Sequence, residues 1–182
     1  LSRHDALLIS DKLLIIAEEM QWSNYVRAFS DGHVLHNLRN SLIVNLLVVL
    51  IVLLFSIMAA YACVRMKWKL AGLVKTIILL GLMIPIPATL LPNYIIYDRL
   101  GITDTLFALV IPYVGFSLPQ GFFLTSGFMS SIPRELEEAA IIDGCGVFRM
   151  LFRVIVPLLQ TSMITVSIMT FLNNWNEFMM AM

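Results

Sequence analysis

From Asn40 to Val64 the chain has no Asp, Glu, Lys or Arg, and the same is true of residues 76–97, 105–133 and 154–176. Every one of these runs is at least 22 residues long. A helix rises about 1.5 Å per residue and needs roughly 20 residues to cross the hydrocarbon layer of a bilayer. Four such runs predict an all-α, polytopic membrane helical bundle, with spans at about 40–63, 73–91, 105–129 and 154–180. Composition agrees. The chain is 59% hydrophobic and 13% charged, with a mean hydropathy of +0.88, whereas a soluble domain of this size needs more polar surface. The formal net charge is zero, which leaves no basic face for nucleic acid.

Residues 1–38 mix charged and apolar positions without a run of span length and read as an extracytoplasmic segment ahead of a transmembrane domain at 39–182. Leu13, Leu14, Ile15 and Ile16 suit a packed surface helix, and Asp31-Gly32 suits a turn. His33 and His36 lie beside Asp31, but no third ligand follows at a useful spacing, so a solvated loop is favoured over a metal site. Cys63 and Cys145 fit neither a disulfide framework nor a zinc pattern. The chain opens on Leu without a basic n-region and cleavage site, so no secretory signal is expected.

Orientation follows from the basic residues. "VRMKWKLAGLVK" supplies Arg65, Lys67, Lys69 and Lys75 with no acid, and short loops rich in Lys and Arg remain cytoplasmic. "NYIIYDRLGITD" carries one base and two acids, as an outer loop can. The order that results puts Lys67 and Cys145 inside, with His33 and Asp98 outside. Ala59, Ala60 and Ala62 would let a second helix approach closely. Pro85 and Pro87, and then Pro112 and Pro119 with Gly115 and Gly121, free backbone carbonyls that only protein or a wet cavity can satisfy. Broken helices of this kind are typical of segments that move or line a path.

One stretch, "SSIPRELEEAAIIDGCGVFRMLFRVIVP", is polar between two apolar runs. Ser130 and Ser131 offer capping hydroxyls, and Pro133 suits the first turn of a new helix. Glu135, Glu137 and Glu138 complement the positive end of the helix dipole. Leu136, Ala139 and Ala140 form a narrow apolar stripe at i, i+3, i+4. Gly144 suits a left-handed helix end, and Gly146 a second sharp bend. A helix of about ten residues is too short to stand alone in water. Its acids also suit an anionic membrane surface badly, so a cytoplasmic protein partner is the better occupant of the stripe.

These residues carry a resemblance. Glu138-Ala139-Ala140, Gly144 after three further residues, and Val154-Ile155-Val156-Pro157 after nine more resemble the EAA loop of ABC importer permeases. That pattern ends Ile-x-Leu-Pro, so Val154 and Val156 are conservative departures. Asp143, Ile132-Pro133, "NYVRAF", "NSLIVN", "AAYACVRMKWK" and "WNEF" are similar to the carbohydrate branch, and the likeness runs from about Asn24 onward. It implies a type I ABC importer permease fold in a prokaryotic cell membrane. The cytoplasmic coupling loop would be 131–153, with Glu138, Ala139, Ala140, Asp143, Gly144 and Pro157 as its signature positions. In that family the loop sits in a cleft of a separate ATPase dimer, whose closure switches the permease from inward-open to outward-open. The implied partners are that ATPase, a second permease subunit, an extracytoplasmic solute-binding protein and the lipid bilayer. ATP and magnesium would sit on the ATPase and no cofactor on this chain. The family usually has six spans. The four here look like the second to fifth, so the chain is expected to be a piece of a longer permease.

Other classes fit less well. The four runs contain no His, and no charge enters the last of them until Glu177, which argues against an intramembrane enzyme. No GxxxxGK[ST] phosphate loop is present, so ATP hydrolysis is expected of a partner. A non-transporting structural subunit would explain the spans but not the spaced loop. The resemblance favours a sugar, oligosaccharide or glycerol phosphate as cargo, with amino acids, polyamines or peptides as the alternative. Near the end, "FLNNWNEF" puts Asn173, Asn176 and Glu177 at i, i+3, i+4 on one helix face, with Trp175 elsewhere. Those three are the candidate substrate path; the alternative is that they mark the outer water interface of the span.

Overall fold

The computed structural model describes residues 22, 23, 29, 34–177 and 180. By packing, the chain divides into Leu1–Arg39 and Asn40–Met182, and the second unit holds the cores and cavities. Leu13–Ile16, Asp31-Gly32 and His33 lie outside the described residues, as does most of segment 1–38.

Among the described residues all regular structure is helical. Helix α1 is Val34–Val64, α2 Ala71–Leu80 and α3 Ile86–Leu100. The long α4 is Leu106–Ser131 and the short α5 Glu135–Ile142. Then come α6 Val147–Met150, a π-helical turn Leu151–Ile155, α7 Val156–Leu158 and α8 Gln160–Trp175. Two helices, α1 and α4, are long and apolar enough to cross a membrane alone, and up to four spans result if each of two bent pairs is one span.

Both bends have a proline cause. Pro85 excludes the helical conformation from the residue before it, and Ile84 is extended at φ −82°, ψ 115°. After a short 3-10 turn at Gly81–Met83, the chain restarts as α3 with Pro87 in its first turn, at 99° to the segment before. The span expected at 73–91 is therefore two helices meeting at a corner. Pro157 likewise removes the donor that the Arg153 carbonyl needs in a regular helix. The chain answers with the π-helical turn before it and a 75° bend at Leu159. The last long helix thus begins at Gln160, not near Val154, and ends at Trp175. Pro112 and Pro119, by contrast, are accommodated within the single helix α4.

One inward stripe of α1 is made of small and β-branched residues, although Ile57 and Tyr61 are buried beside it. Val44, Val48, Val52, Ser56 and Ala60 recur at every fourth position and are buried, whereas Leu46, Leu50, Leu54 and Phe55 are exposed. In an apolar solvent a leucine gains nothing by turning inward, so close packing selects small and β-branched residues for helix contacts. Helix α8 repeats the device with Ser162, Val166, Thr170 and Asn174. Of the three alanines expected at a close approach, Ala60 is fully buried, and Ala59 and Ala62 are half-buried.

The three helices meet at Gly121 of α4. A Cβ there would fall 2.5 Å from Ser56 Oγ, 2.9 Å from Val52 Cγ1 and 3.3 Å from Val166 Cγ1. A second close contact lies at the end of α2, where a Cβ on Gly81 would meet Pro119 Cγ at 2.7 Å. On one side of the Gly121 crossing, Val44, Val48, Val52, Val110, Tyr113 and Val166 form one apolar cluster. On the other, Ile57, Ala60, Tyr61, Phe122 and Met129 pack with Ala140, Met150, Leu151, Ile155 and Leu159.

Gly121→Ala should overpack this crossing and cost about 1–3 kcal/mol, seen as a lowered thermal unfolding midpoint of the detergent-solubilised protein. Gly127→Ala, where the added Cβ meets nothing within 4 Å, should leave the midpoint unchanged or raise it. Equal behaviour of the two variants would contradict the packing described.

Candidate functional site

Two sites lie along α4, one at its C-terminal end and one beside its middle. At its C-terminal end the chain turns through Ile132-Pro133 into α5. Ser130 and Ser131 do not cap α5. They belong to the last turn of α4, where their hydroxyls donate to the carbonyls of Ser126 (2.8 Å) and Phe128 (2.7 Å). Arg134 is the N-cap residue of α5, without a side-chain cap bond. The reason is length: α4 keeps its helical bonds to Ser131, and serine hydroxyls inside a helix turn back onto the preceding carbonyls.

The C-terminal end of α5 is as the glycine suggests. Gly144 has φ +74°, its N–H donates to Ile141 O (2.9 Å), and Cys145 N–H donates to Ala140 O (2.9 Å). This is the double-bonded left-handed helix end that satisfies orphan carbonyls. Gly146 differs from the expected second special bend. Its φ of −71° is open to any residue, and it caps the start of α6.

The stripe Leu136, Ala139 and Ala140 is divided by the fold. Ala140 is buried against Tyr61, Phe122, Met150 and Ile155 in the chain's own core. It therefore faces inward, a correction to its expected place on a partner-facing surface; the small side chain is what lets α5 lie flat on the bundle. The outward face carries Glu135, Leu136, Glu138 and Ala139, with Ile141 (60% exposed) and Ile142 (85%), continuing to Asp143, Gly144 and Phe148 (71%). Pro157 is also exposed, but its consequence is the bend before α8. The arrangement is a short, capped helix presenting apolar tips among acids.

Glu137 has a separate task. Its carboxylate oxygen Oε1 lies 3.0 Å from Arg65 Nε, with the two side chains only 13% and 4% exposed. The same guanidinium donates through Nη2 to the carbonyls of Met129 and Ile132 at the end of α4. Arg134 reciprocates by donating to Val64 O at the end of α1 (3.5 Å). The two helix ends thus exchange donors: Arg65, after α1, bonds carbonyls at the end of α4, and Arg134, after α4, bonds the last carbonyl of α1. Arg65 counted in the sequence only as one of four loop bases. Its position directly after a charge-free run of 25 residues, Asn40–Val64, was the signal that it caps a helix end.

Beside the middle of α4, at Tyr113 to Gln120, a cavity of about 440 Å³ opens between α4, the corner of α2 and α3, and the end of α8. Asn173, Asn174, Asn176 and Glu177 all line it, together with Tyr113, Phe116, Ser117 and Gln120 of α4. The three expected residues do converge, though not as one helical face. Helix α8 stops at Trp175, and Asn176 and Glu177 lie in the turn beyond, with Asn176 Nδ2 donating back to Leu172 O (2.8 Å). Tyr113 donates its hydroxyl to Glu177 Oε2 (2.8 Å), and Met180 N–H donates to the same carboxylate. Asn173 donates to Gln120 Oε1 (3.2 Å), and Ser117 donates to Asn174 Oδ1 (3.4 Å). Trp175 turns aside and stacks on Phe171 at 5.4 Å.

Asn174, part of the same polar cluster, is absent from the expected face although it is buried at the cavity, and the expected path omits the whole α4 contribution. A signal was present: Tyr113, Ser117 and Gln120 recur at i, i+4, i+7 inside a charge-free run, a polar stripe that lipid would penalise. Chemically, the cavity offers amide donors and acceptors, one carboxylate, one phenol and an aromatic face. That set suits a neutral, hydroxyl-rich molecule.

The chain is similar to known membrane transport proteins. Residues 38–182 match the family model of the binding-protein-dependent transport system inner membrane component. The putative ABC transporter permease protein ORF2 of Caldicellulosiruptor sp. (strain Rt8B.4) is 42% identical over 84% of this chain and 55% of its own length. The sulfoquinovosyl glycerol transport system permease protein SmoH of Agrobacterium fabrum is 38% identical over 88% of this chain and 56% of its own length. The trehalose/maltose transport system permease protein MalG of Thermococcus litoralis is 36% identical over 87% of this chain and 58% of its own length. The chain therefore spans little more than half the length of these relatives. A crystal structure of a bacterial ABC transporter involved in the import of the acidic polysaccharide alginate shares the fold, with a TM-score of 0.73 over 86% of this chain and 55% of that one, at 24% identity. With the family model covering all of the helical body from residue 38 onward, the chain belongs to the family of binding-protein-dependent transport system inner membrane components.

Proposed function

We propose that this chain is the membrane-spanning part of a permease subunit in an ATP-binding-cassette importer, and that it carries a sugar or a related solute. The carrying observation is the polar cavity beside the middle of α4, joined by that same helix to a capped, acid-flanked knob at its C-terminal end. Exposed Ile142 and Phe148 on that knob are suited to insertion into a cleft of a cytoplasmic ATPase dimer, with Glu135, Glu138 and Asp143 at the rim. ATP and magnesium belong to that partner, and this chain has no enzymatic step of its own.

The remaining assembly is proposed from family membership: a second permease subunit, an extracytoplasmic solute-binding protein and a prokaryotic cell membrane. Relatives named for sulfoquinovosyl glycerol and for trehalose/maltose support a carbohydrate cargo. The cavity chemistry points the same way. Side-chain amides provide directional hydrogen bonds to hydroxyls, and Phe116 and Tyr113 provide flat apolar surface for a ring. Glu177, pinned by Tyr113, is the charged acceptor of the set.

In the full-length complex, Glu177→Gln and Tyr113→Phe should each lower substrate-stimulated ATP hydrolysis and uptake by about 10- to 100-fold, the loss of a hydrogen bond to a charged group. Basal hydrolysis and assembly should persist. Unchanged uptake of every sugar tested in both variants would remove the cavity from the path.

Orientation is testable by labelling. The basic loop predicts that Cys145, and a cysteine in place of Lys67, react with a membrane-impermeant thiol reagent from the cytoplasmic side only. A cysteine in place of Asp98 should react from the outside only. Outside labelling at position 145 would reverse the orientation and end the docking proposal.

Gly144→Val strains a left-handed position by roughly 1–2 kcal/mol and displaces the knob. The full-length variant is expected to insert normally while ATP hydrolysis and transport become uncoupled, whereas Gly146→Ala should behave as wild type.

A further inference from the structure

We infer that Arg65 is a positioning residue for coupling: it locks the knob helix α5 to the ends of α1 and α4, so that movement of α5 reaches the cavity through α4 without slack. The inference rests on the permease reading above and adds to it a specific transmission element.

Three observations carry it. First, one guanidinium serves three elements. It extends from the residue after α1, contacts Glu137 in α5 at 3.0 Å, and donates to the carbonyls of Met129 and Ile132 at the end of α4. Second, the group is dry. Its side chain is 4% exposed and that of Glu137 13%, so solvent screening is weak and separating either partner leaves a buried charge unpaired. Third, α4 is the helix that bears Tyr113, Ser117 and Gln120 in the cavity. Without Arg65, α5 would be held by its covalent links to α4 and α6, the 3.5 Å Arg134–Val64 bond and the packing of Ala140, with no charged tie to the end of α4. With Arg65, a pull on α5 works against a buried ion pair whose guanidinium fork is anchored by Nη2 to the end of α4.

Lysine is the informative replacement, because it keeps the charge but loses the fork. A single ammonium cannot hold a carboxylate and two carbonyls in the arrangement that a guanidinium spans. Near-isosteric apolar replacement of both partners, Arg65→Met with Glu137→Leu, removes the tie without leaving a buried charge, a change that is often neutral or stabilising.

The test uses the full-length permease assembled with its ATPase and reconstituted in vesicles. It measures copurification of the ATPase, basal hydrolysis, and solute transported per ATP. Arg65→Lys and the double variant are expected to retain the ATPase and to hydrolyse ATP, while transport per ATP falls on the order of tenfold, the size of a typical coupling energy. A merely structural role would lower assembly and hydrolysis together and leave the ratio unmoved. Should Arg65→Lys fail to assemble, the double variant alone decides.

Ile142→Glu separates this inference from the reading beneath it, since it touches the outward face and not the tie. Loss of the ATPase in Ile142→Glu together with normal transport per ATP in the double variant would keep the docking surface and overturn the role of Arg65. Full retention of the ATPase and transport in Ile142→Glu would overturn both.

Discussion

The crossing at Gly121 is the contact on which the rest of this bundle depends. There α4 comes close enough to α1 and α8 that no Cβ fits between Ser56, Val52 and Val166. The missing side chain sets the separation of the three helices, and the separation sets what lies on either side. Toward the start of α4, Tyr113, Ser117 and Gln120 face the end of α8 across a cavity. Toward its end, Phe122 and Met129 seat the α5 turn through Ala140 and Ile155. Both functional regions are thus referred to one rigid rod, fixed at its middle.

Away from that crossing, the fold is shaped by the need to satisfy carbonyls at helix ends and breaks. Three solutions occur. At Gly101 and Gly144 a left-handed residue lets the following N–H groups return to the helix end. At Pro85 and Pro157 the helix gives way, as a corner in one case and as a π-helical turn and bend in the other. At the end of α4 neither solution is used, and Arg65 supplies the donors from the turn after α1. The last solution makes the helix end depend on tertiary structure, which the other two do not.

The polar residues of α8 follow the same logic. Ser162, Thr170 and Asn174 share a buried stripe with Val166, each spaced four apart. Ser162 Oγ and Ser56 Oγ have no hydrogen-bond partner among the described residues, so these serines contribute by being small. Asn174 is different, because it sits where the stripe reaches the cavity and meets Ser117. A single period therefore carries packing along most of the helix and cavity chemistry at its end.

The sequence alone determined the helical class, the charge-free runs, the loop between α4 and α8, and the left-handed end at Gly144. Each of these is set by local chemistry: run length, charge, or a φ that only glycine adopts cheaply. It also brought Asn173, Asn176 and Glu177 forward, because polar groups at the end of an apolar run stand out within a few positions. Tertiary structure decided which face of each helix is inside. In apolar surroundings leucine and valine have equal claim to either side, and only the fit at Gly121 chooses. It decided that Ala140 turns inward and Ile142 outward, since a stripe three residues wide on a short helix is compatible with either. It joined Arg65 to Glu137 across 72 positions, and Tyr113 to Glu177 across 64. Such pairings belong to the packed chain, because nothing in a local window says which of several charges is to be buried.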